Sequence, residues 1–220
     1  MIQPPYPKNI PLLKGSLVTI DDTTQQRTVV AFQYNPDTLN RTLKPNTVGT
    51  DDGDRSYAVC FAGAPVQTIS LEVQIDGTDQ LNEGDPVVAQ VGIYPQLANL
   101  ELLVYPTSSQ VTQFATTLAT GTLEITPMTA PRTVFVWGPN RVVPVRVTSI
   151  SVTEQLFDAN LNPIRASLTM EMRVLSYSDV FSSNPDYQLF LTYQQNMEQV
   201  AARLRASTSG SVTGYDITKL

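Results

Sequence analysis

The sequence contains no histidine, and Cys60 is its single cysteine among 220 residues. Without histidine, neither a Ser-His-Asp nor a Cys-His arrangement can activate a nucleophile, and the commonest metal ligand is missing. A single cysteine forms no internal disulfide and cannot supply a tetrahedral thiolate site for zinc. We interpret Cys60, which lies between Val59 and Phe61, as a small apolar residue of a strand. Carboxylate chemistry remains possible, but the preferred expectation is a non-enzymatic protein without a metal or other cofactor.

Charge is also scarce, because charged residues make up 15% of the chain against a usual share of about 25%. This scarcity indicates either a surface that meets something other than water or simply a β protein rich in Ser, Thr and Gln. The net charge is −6 and no cluster of Lys and Arg exists, which argues against a nucleic-acid partner. No apolar run of about 18 residues predicts a membrane span. Residues 1–8 lack the order of a secretory signal.

The chain is rich in strand patterns. Apolar and polar residues alternate without a break from Ile164 to Val174, and again over Gln67–Ile75, as expected for strands with one covered face. In Arg141–Phe157 the apolar residues move from odd to even positions, which predicts a β-bulge or a sharp bend. Further strands are predicted over Ser16–Ile20, Arg27–Tyr34, Thr122–Thr126 and Thr133–Trp137.

Two proline signals predict helix starts. Asp85-Pro86 combines a capping carboxylate with proline at the first helical position, and Asn184-Pro185 repeats this pattern. A helix over Pro95–Val104 is apolar nearly all round, which predicts that it is buried. Thr107–Gly121 fits either a surface loop or a helix. The last helix carries an apolar seam at spacings of three and four residues, formed by Phe190, Tyr193, Met197, Val200 and Leu204. We interpret this seam as packing on the protein's own sheet in preference to docking on another subunit.

These patterns predict a mainly β protein with flanking helices, divided into four parts. Residues 1–15 form an extended Pro-rich arm, 16–180 a β domain, 184–206 a C-terminal helix and 207–220 a tail. Within the β domain, residues 44–65 form a long excursion with a polar middle, which we interpret as a hairpin that reaches away from the core. Asp51, Asp52 and Asp54 in this excursion lack the later ligands of a calcium loop, so a solvated turn is the preferred interpretation.

Four blocks of sequence resemble, in order, blocks of the tube-like baseplate proteins of contractile injection systems, which are phage-tail-derived particles. The blocks are Phe32–Leu39, Gly92–Pro106, Val134–Gly138 and Phe157–Ala166, and the resemblance extends over Ser16–Tyr177. It implies a tube-protein fold, a small β-barrel or sandwich with a flanking helix. Longer members carry a C-terminal LysM module, whose pattern we do not find in Asn184–Leu220.

The resemblance also implies a role and partners. Members assemble as hexameric rings and act as adaptors between the inner tube and the trimeric spike, on which tube growth starts. The implied partners are copies of the chain, the inner-tube or tube-initiator protein, the spike, and wedge or sheath proteins. Assembly is expected in the bacterial cytoplasm, as part of a particle that is released or docked at a membrane.

The excursion is the predicted arm that reaches the next subunit. The candidate interface residues are Arg41, Lys44, Asp51, Asp52, Asp54, Arg55 and Tyr57. Two alternatives remain open: the bulk tube subunit or tube initiator, and a monomeric β-sandwich that binds glycans or peptides. In the second alternative Trp137 and Tyr57 would be exposed platforms, although its strand context favours a core position for Trp137.

Overall fold

The computed structural model describes residues 13–21, 26–48, 60–119 and 128–207, with the side chains of 204–207 left out. It is mainly β, an antiparallel sheet of seven strands with helices around it, so the predicted fold class is confirmed. The predicted arm before residue 13, the strand Thr122–Thr126 and the tail beyond Ser207 lie outside the described residues.

The strand order in the sheet is β2-β1-β5-β6-β7-β4-β3, and every neighbouring pair is antiparallel. The strands are β1 Ser16–Ile20, β2 Arg27–Ala31, β3 Leu39–Lys44, β4 Val66–Asp76, β5 Arg132–Val136, β6 Val142–Phe157 and β7 Pro163–Val174. The helices are α1 Thr78–Asn82, α2 Pro86–Val91, α3 Tyr94–Glu101, α4 Ser108–Ala119 and α5 Pro185–Ser207.

Strands β4, β6 and β7 form the centre of the core. The predicted alternation holds in β7, where Ala166, Leu168, Met170 and Met172 are fully buried, and in β4, whose buried positions likewise alternate. Because the core covers only one face of these strands, the side chains on the other face are largely polar. The predicted bulge in β6 is confirmed, since its register against β7 shifts between Val147 and Ser149.

The sheet is strongly curled. Five strand spacings separate β2 from β4 in the strand order, which is roughly 24 Å in a flat sheet. Yet the side chain of Gln33, two residues after β2, donates to the carbonyl of Asp76 at 2.6 Å and accepts from its N–H at 2.8 Å. Helix α3 contacts β2 and buries Leu97 and Leu100 in the core. The two ends of the sheet therefore approach each other, as in a barrel.

Two sequence predictions need correction. The helix predicted over Pro95–Val104 ends at Glu101, and it is buried on one side only: Leu103 is buried, whereas Leu102 and Val104 are exposed. The reason is that the sheet covers one face of this segment and no described element covers the other. Strand β2 ends at Ala31 instead of Tyr34, because the chain bends at residues 33–34, and the side chain of Asn35 beyond the bend accepts from the N–H of Gly15.

The C-terminal helix α5 starts where the sequence predicts, and the Asn184 side chain accepts from the N–H of Asp186 at 2.9 Å. Its apolar seam is divided. Phe190 and Tyr193 are buried against the protein's own core, whereas Met197 and Val200 are exposed. Packing on its own sheet thus accounts for the first half of the seam. The segment left open between loop and helix forms α4, which buries no residue.

Candidate assembly surfaces

The base of the predicted excursion is an antiparallel ladder. Thr47 and Phe61 form a β-bridge, the N–H of Val48 donates to Cys60 O at 3.0 Å, and the N–H of Ala62 donates to Asn46 O at 2.8 Å. The base is fixed to the turn after β7, because Ser178 Oγ accepts from the N–H of Ala64 at 3.1 Å. The described part of the excursion therefore continues β3 and β4 beyond the sheet.

Only two of the seven predicted interface residues lie within the described residues. Arg41 and Lys44 are both on β3, at one edge of the sheet, and both are exposed. Asp51, Asp52, Asp54, Arg55 and Tyr57 lie outside the described residues. The structure therefore places the two cations on an edge strand and leaves the remaining five as predictions.

A second arginine lies near this edge. Partial burial, followed by the positive charge of Arg41, lowers the pKa of the Arg141 guanidinium, while Tyr193 raises it. Within the described residues, neither arginine takes part in an ion pair. The sequence did not predict an electrostatic interaction between these two arginines, because residues 41 and 141 are far apart in the chain.

Both edges of the sheet lack a further strand among the described residues. There, β2 pairs only with β1, and β3 pairs only with β4. Four of the five residues of β2 and five of the six residues of β3 are exposed. An edge strand presents unpaired N–H and C=O groups that can pair with another chain. Strand β2 carries neither lysine nor proline, the residues that commonly block such pairing.

Two carboxylates before α2, those of Asp76 and Asp85, are used in local structure. Asp85 caps α2 by accepting from the N–H groups of Val87 at 2.8 Å and Val88 at 3.3 Å. The Asp76 carboxylate accepts a hydrogen bond from the N–H of Thr78 and forms an ion pair with Arg165. Across the parts of the chain that the structure describes, no group of three or more His, Cys, Asp or Glu side chains could hold a metal ion. These carboxylates therefore have structural roles.

Trp137 is partly buried against the core and stacks on Phe135, with ring centroids 5.9 Å apart. An indole in this position is not a free platform for a sugar ring. The glycan-binding alternative therefore loses one of its two proposed platforms, and the other, Tyr57, lies outside the described residues.

The turn between β6 and β7 forms an apolar tip that the sequence predicted as a turn but not as a surface. Leu156, Phe157 and Leu161 are all exposed there. The signal was present in the sequence as three large apolar residues in and beside a turn, where polar residues are usual. We call Leu156, Phe157 and Leu161 the apolar tip.

The turn below the apolar tip is held rigidly. The carboxylate of Asp158 accepts from the N–H groups of Asn160 at 2.7 Å and Asn162 at 2.8 Å, and from Asn162 Nδ2 at 2.8 Å. Hydrogen bonds from Asn162, the largest cause, and from Asn160 lower the pKa of Asp158. Asn162 Nδ2 also donates to Gln90 O at 3.1 Å, which fixes the turn to α2.

For the ranges that the structure covers, no helix is both long and apolar enough to span a membrane.

The sequence profile of the contractile injection system tube proteins matches residues 12–178. The chain belongs to this family. The protein is therefore a structural component of a contractile injection system, and its family is one of structural tube proteins and not a class of enzymes. No curated protein matches the chain.

Solved structures with similar chains come from phage-tail-like particles. A chain of the tail of an empty gene transfer agent particle with C6 symmetry is 14% identical, covering 73% of this chain and 90% of that chain, with a TM-score of 0.29. A chain of the six-fold symmetrised baseplate of the anti-feeding prophage is also 14% identical, covering 80% and 94%, with a TM-score of 0.27. A chain of the native gene transfer agent virion is 13% identical, covering 73% and 90%, with a TM-score of 0.27. The family assignment rests on the sequence profile.

Proposed function

We propose that this tube-family protein is a ring-forming adaptor that joins the inner tube to the central spike and templates tube assembly. The observation that carries the proposal is a curled sheet with two different open edges, β2 and β3, in a chain that belongs to a family of tube proteins. In this role the protein performs no chemistry. Its mechanism is to present matched surfaces on which copies of the chain and neighbouring components assemble.

Two unlike edges on one subunit favour a ring. When one surface of a subunit contacts a different surface of the next, the contact is head-to-tail, and the assembly closes into a ring if the rotation between subunits allows it. Strands β2 and β3 lie at opposite ends of the sheet order and expose most of their residues. We propose six copies per ring, the number that the family resemblance implies.

The excursion supplies a second element of the ring contact. Its described base is an antiparallel ladder anchored at Ser178, and residues 49–59 connect the two sides of this ladder. We propose that this segment reaches the neighbouring subunit. There its acidic side chains Asp51, Asp52 and Asp54 would lie near the cations Arg41, Lys44 and Arg141.

Deletion of residues 49–54 tests the role of the excursion and leaves the described ladder at its base intact. We expect the variant to fold, with an unchanged circular dichroism spectrum, but to lose rings in sedimentation velocity and electron microscopy. The matched control replaces residues 49–54 by glycine and serine without a change of length, so that reach is kept while side chains are lost. Rings formed normally by the deletion variant would refute the role of this segment.

The inner-tube subunit or tube initiator is a second candidate, favoured by the description of the family as tube proteins. The number of copies per particle separates the two functions. An adaptor forms one ring, so quantitative mass spectrometry of purified particles should find about as many copies of this chain as of the other single-ring baseplate components. Copies in proportion to tail length would identify a tube subunit instead and would refute the adaptor role.

A further inference from the structure

The apolar tip holds two leucines in an unfavourable backbone conformation. Leu156 has φ 55° and Leu161 has φ 65°, in the left-handed region that glycine and asparagine adopt readily and leucine does not. Both side chains are exposed, at 57% and 80%, and the neighbouring Phe157 is 52% exposed. These side chains therefore contribute little to the core of their own subunit. Strained residues that persist without a structural benefit point to a function of the side chains.

The tip is preorganised for binding. The Asp158 carboxylate fixes the turn through three hydrogen bonds, and the carbonyl of Pro163 accepts from the N–H of Ile93 at 2.9 Å. Gly92 lies so close to this turn that a Cβ there would be 2.2 Å from Pro163 O. Because the apolar side chains project from a turn that is already ordered, little conformational entropy is lost when they bind.

A cleft elsewhere on the same chain has the complementary character. It lies between β2, β4 and α3 and has a volume of about 310 Å³. Val29 is the exposed apolar side chain of the cleft, whereas Phe32, Val73, Ile75 and Leu100 belong to the buried core beneath it. Gln96 also lines the cleft, and its Oε1 atom is buried without a hydrogen-bond partner among the described residues. The cleft thus offers an apolar contact at Val29 and, at Gln96, one free acceptor for a donor on an entering segment.

The charges of tip and cleft are opposite. Residues 154–163 contain Glu154 and Asp158 but no lysine or arginine, whereas Lys14 is the charged residue that lines the cleft. Within the described residues, neither Glu154 nor Lys14 takes part in an ion pair. Both charges are therefore available to a partner, and complementary charges at the rim of an interface guide its orientation.

We propose that the apolar tip of one copy inserts into the cleft of a second copy, with Glu154 near the partner subunit's Lys14. The contact joins two different surfaces, so it is head-to-tail and extends the ring proposed above, on which this inference rests. The apolar tip is the anchor of the contact, and β2, whose residues line the cleft, lies beside it on the partner.

Disulfide cross-linking tests the contact directly. In a Cys60→Ser background, protein carrying Leu161→Cys is mixed with protein carrying Val29→Cys and oxidised. We expect a disulfide-linked dimer of the two proteins, and a ladder up to a closed ring when both cysteines are on one chain. The control pairs Leu161→Cys with Phe181→Cys, a position outside the cleft that is more exposed than Val29, at 88% against 60%. Equal cross-linking in the control, or none in the test pair, would overturn the proposal.

The association constant of the subunits, measured by sedimentation velocity, separates a role of the tip at the interface from a role in the stability of its own subunit. Leu161→Asn, whose new side chain tolerates positive φ, should weaken association about tenfold or more, while the melting temperature of the subunit stays equal or rises. Glu154→Lys should weaken association roughly fivefold, and Lys14→Glu on the partner should restore it. Unchanged association of Leu161→Asn would overturn the proposal.

The outcomes also distinguish this inference from the ring itself. Rings without the cross-link and without the charge rescue would overturn the tip contact alone. A protein that stays monomeric at every concentration, alone and with its tube and spike partners, would overturn both proposals.

Discussion

Replacement of Arg132 by Gln tests whether burial or distance sets the strength of ion pairs in this subunit. Arg132 on β5 and Asp186 in the first turn of α5 are joined by an Nε–Oδ1 distance of 2.6 Å, and their side chains are 15% and 5% exposed. Arg165 and Asp76 have the same separation, 2.6 Å, but are 43% and 22% exposed. The same substitution, Arg165→Gln, is therefore a matched control.

The expected costs differ several-fold. Loss of one member of a buried ion pair leaves an uncompensated charge and costs about 3–5 kcal/mol of unfolding free energy. An exposed pair contributes about 0–1 kcal/mol, and Asp76 keeps its hydrogen bond from the N–H of Thr78 at 2.9 Å. For a chain of this length, each kcal/mol lowers the melting temperature by roughly 2–4 °C. Arg132→Gln should thus lower it by roughly 6–20 °C, and Arg165→Gln by less than about 4 °C.

Urea unfolding of the isolated subunit, followed by circular dichroism, measures both costs. A third variant, Arg132→Met with Asp186→Leu, replaces the pair by apolar side chains and should recover most of the lost free energy, because no buried charge remains. A cost for Arg132→Gln within about 1 kcal/mol of that for Arg165→Gln would refute the reasoning. It would show that solvent reaches the β5–α5 junction in spite of its burial.

Further predictions concern backbone conformation and pH. Gly92→Ala should lower the unfolding free energy in urea by more than about 3 kcal/mol, because Gly92 has φ +61° and a Cβ there would clash with Pro163. Gly138→Ala is the control: it has φ +73° but lies in open space, so it should cost only about 1 kcal/mol. Equal costs would show that the clash is relieved by a small shift. Hydrogen bonds, mainly from Thr78 for Asp76 and from Asn162 for Asp158, lower both pKa values below the ordinary 3.8. On acidification the unfolded chain takes up these protons first, so stability should be lost from about pH 5 downward; Asp158→Asn should flatten this acid branch, and an unchanged branch would contradict the role of Asp158.

Much of the local structure could be predicted from the sequence. The alternation in Gln67–Ile75 and Ile164–Val174 identified β4 and β7, and the change of face in Arg141–Phe157 identified the bulge at Val147. Asp85-Pro86 and Asn184-Pro185 identified two helix starts. Each of these signals lies within a few residues of the structure that it specifies, so no information about distant segments was needed.

The candidate surfaces were predicted less completely. The cations Arg41 and Lys44 were expected at an interface and lie exposed on an edge strand, but the sequence did not show that Arg141 lies near Arg41. Nor did it show that Leu156 and Leu161 are exposed. Exposure depends on whether another part of the chain packs over a residue, and hydrophobic periodicity within one segment does not predict such packing.

The sequence by itself determined most of the strands, two helix starts and membership of the tube family, because these depend on side-chain alternation, on capping chemistry and on ordered blocks of residues. Only the tertiary structure decided how the sheet curls and which apolar residues stay outside it. The Gln33–Asp76 and Arg132–Asp186 contacts join residues 43 and 54 positions apart. Such contacts form only when strand order and twist bring distant segments together, and they decide which surfaces are left for assembly.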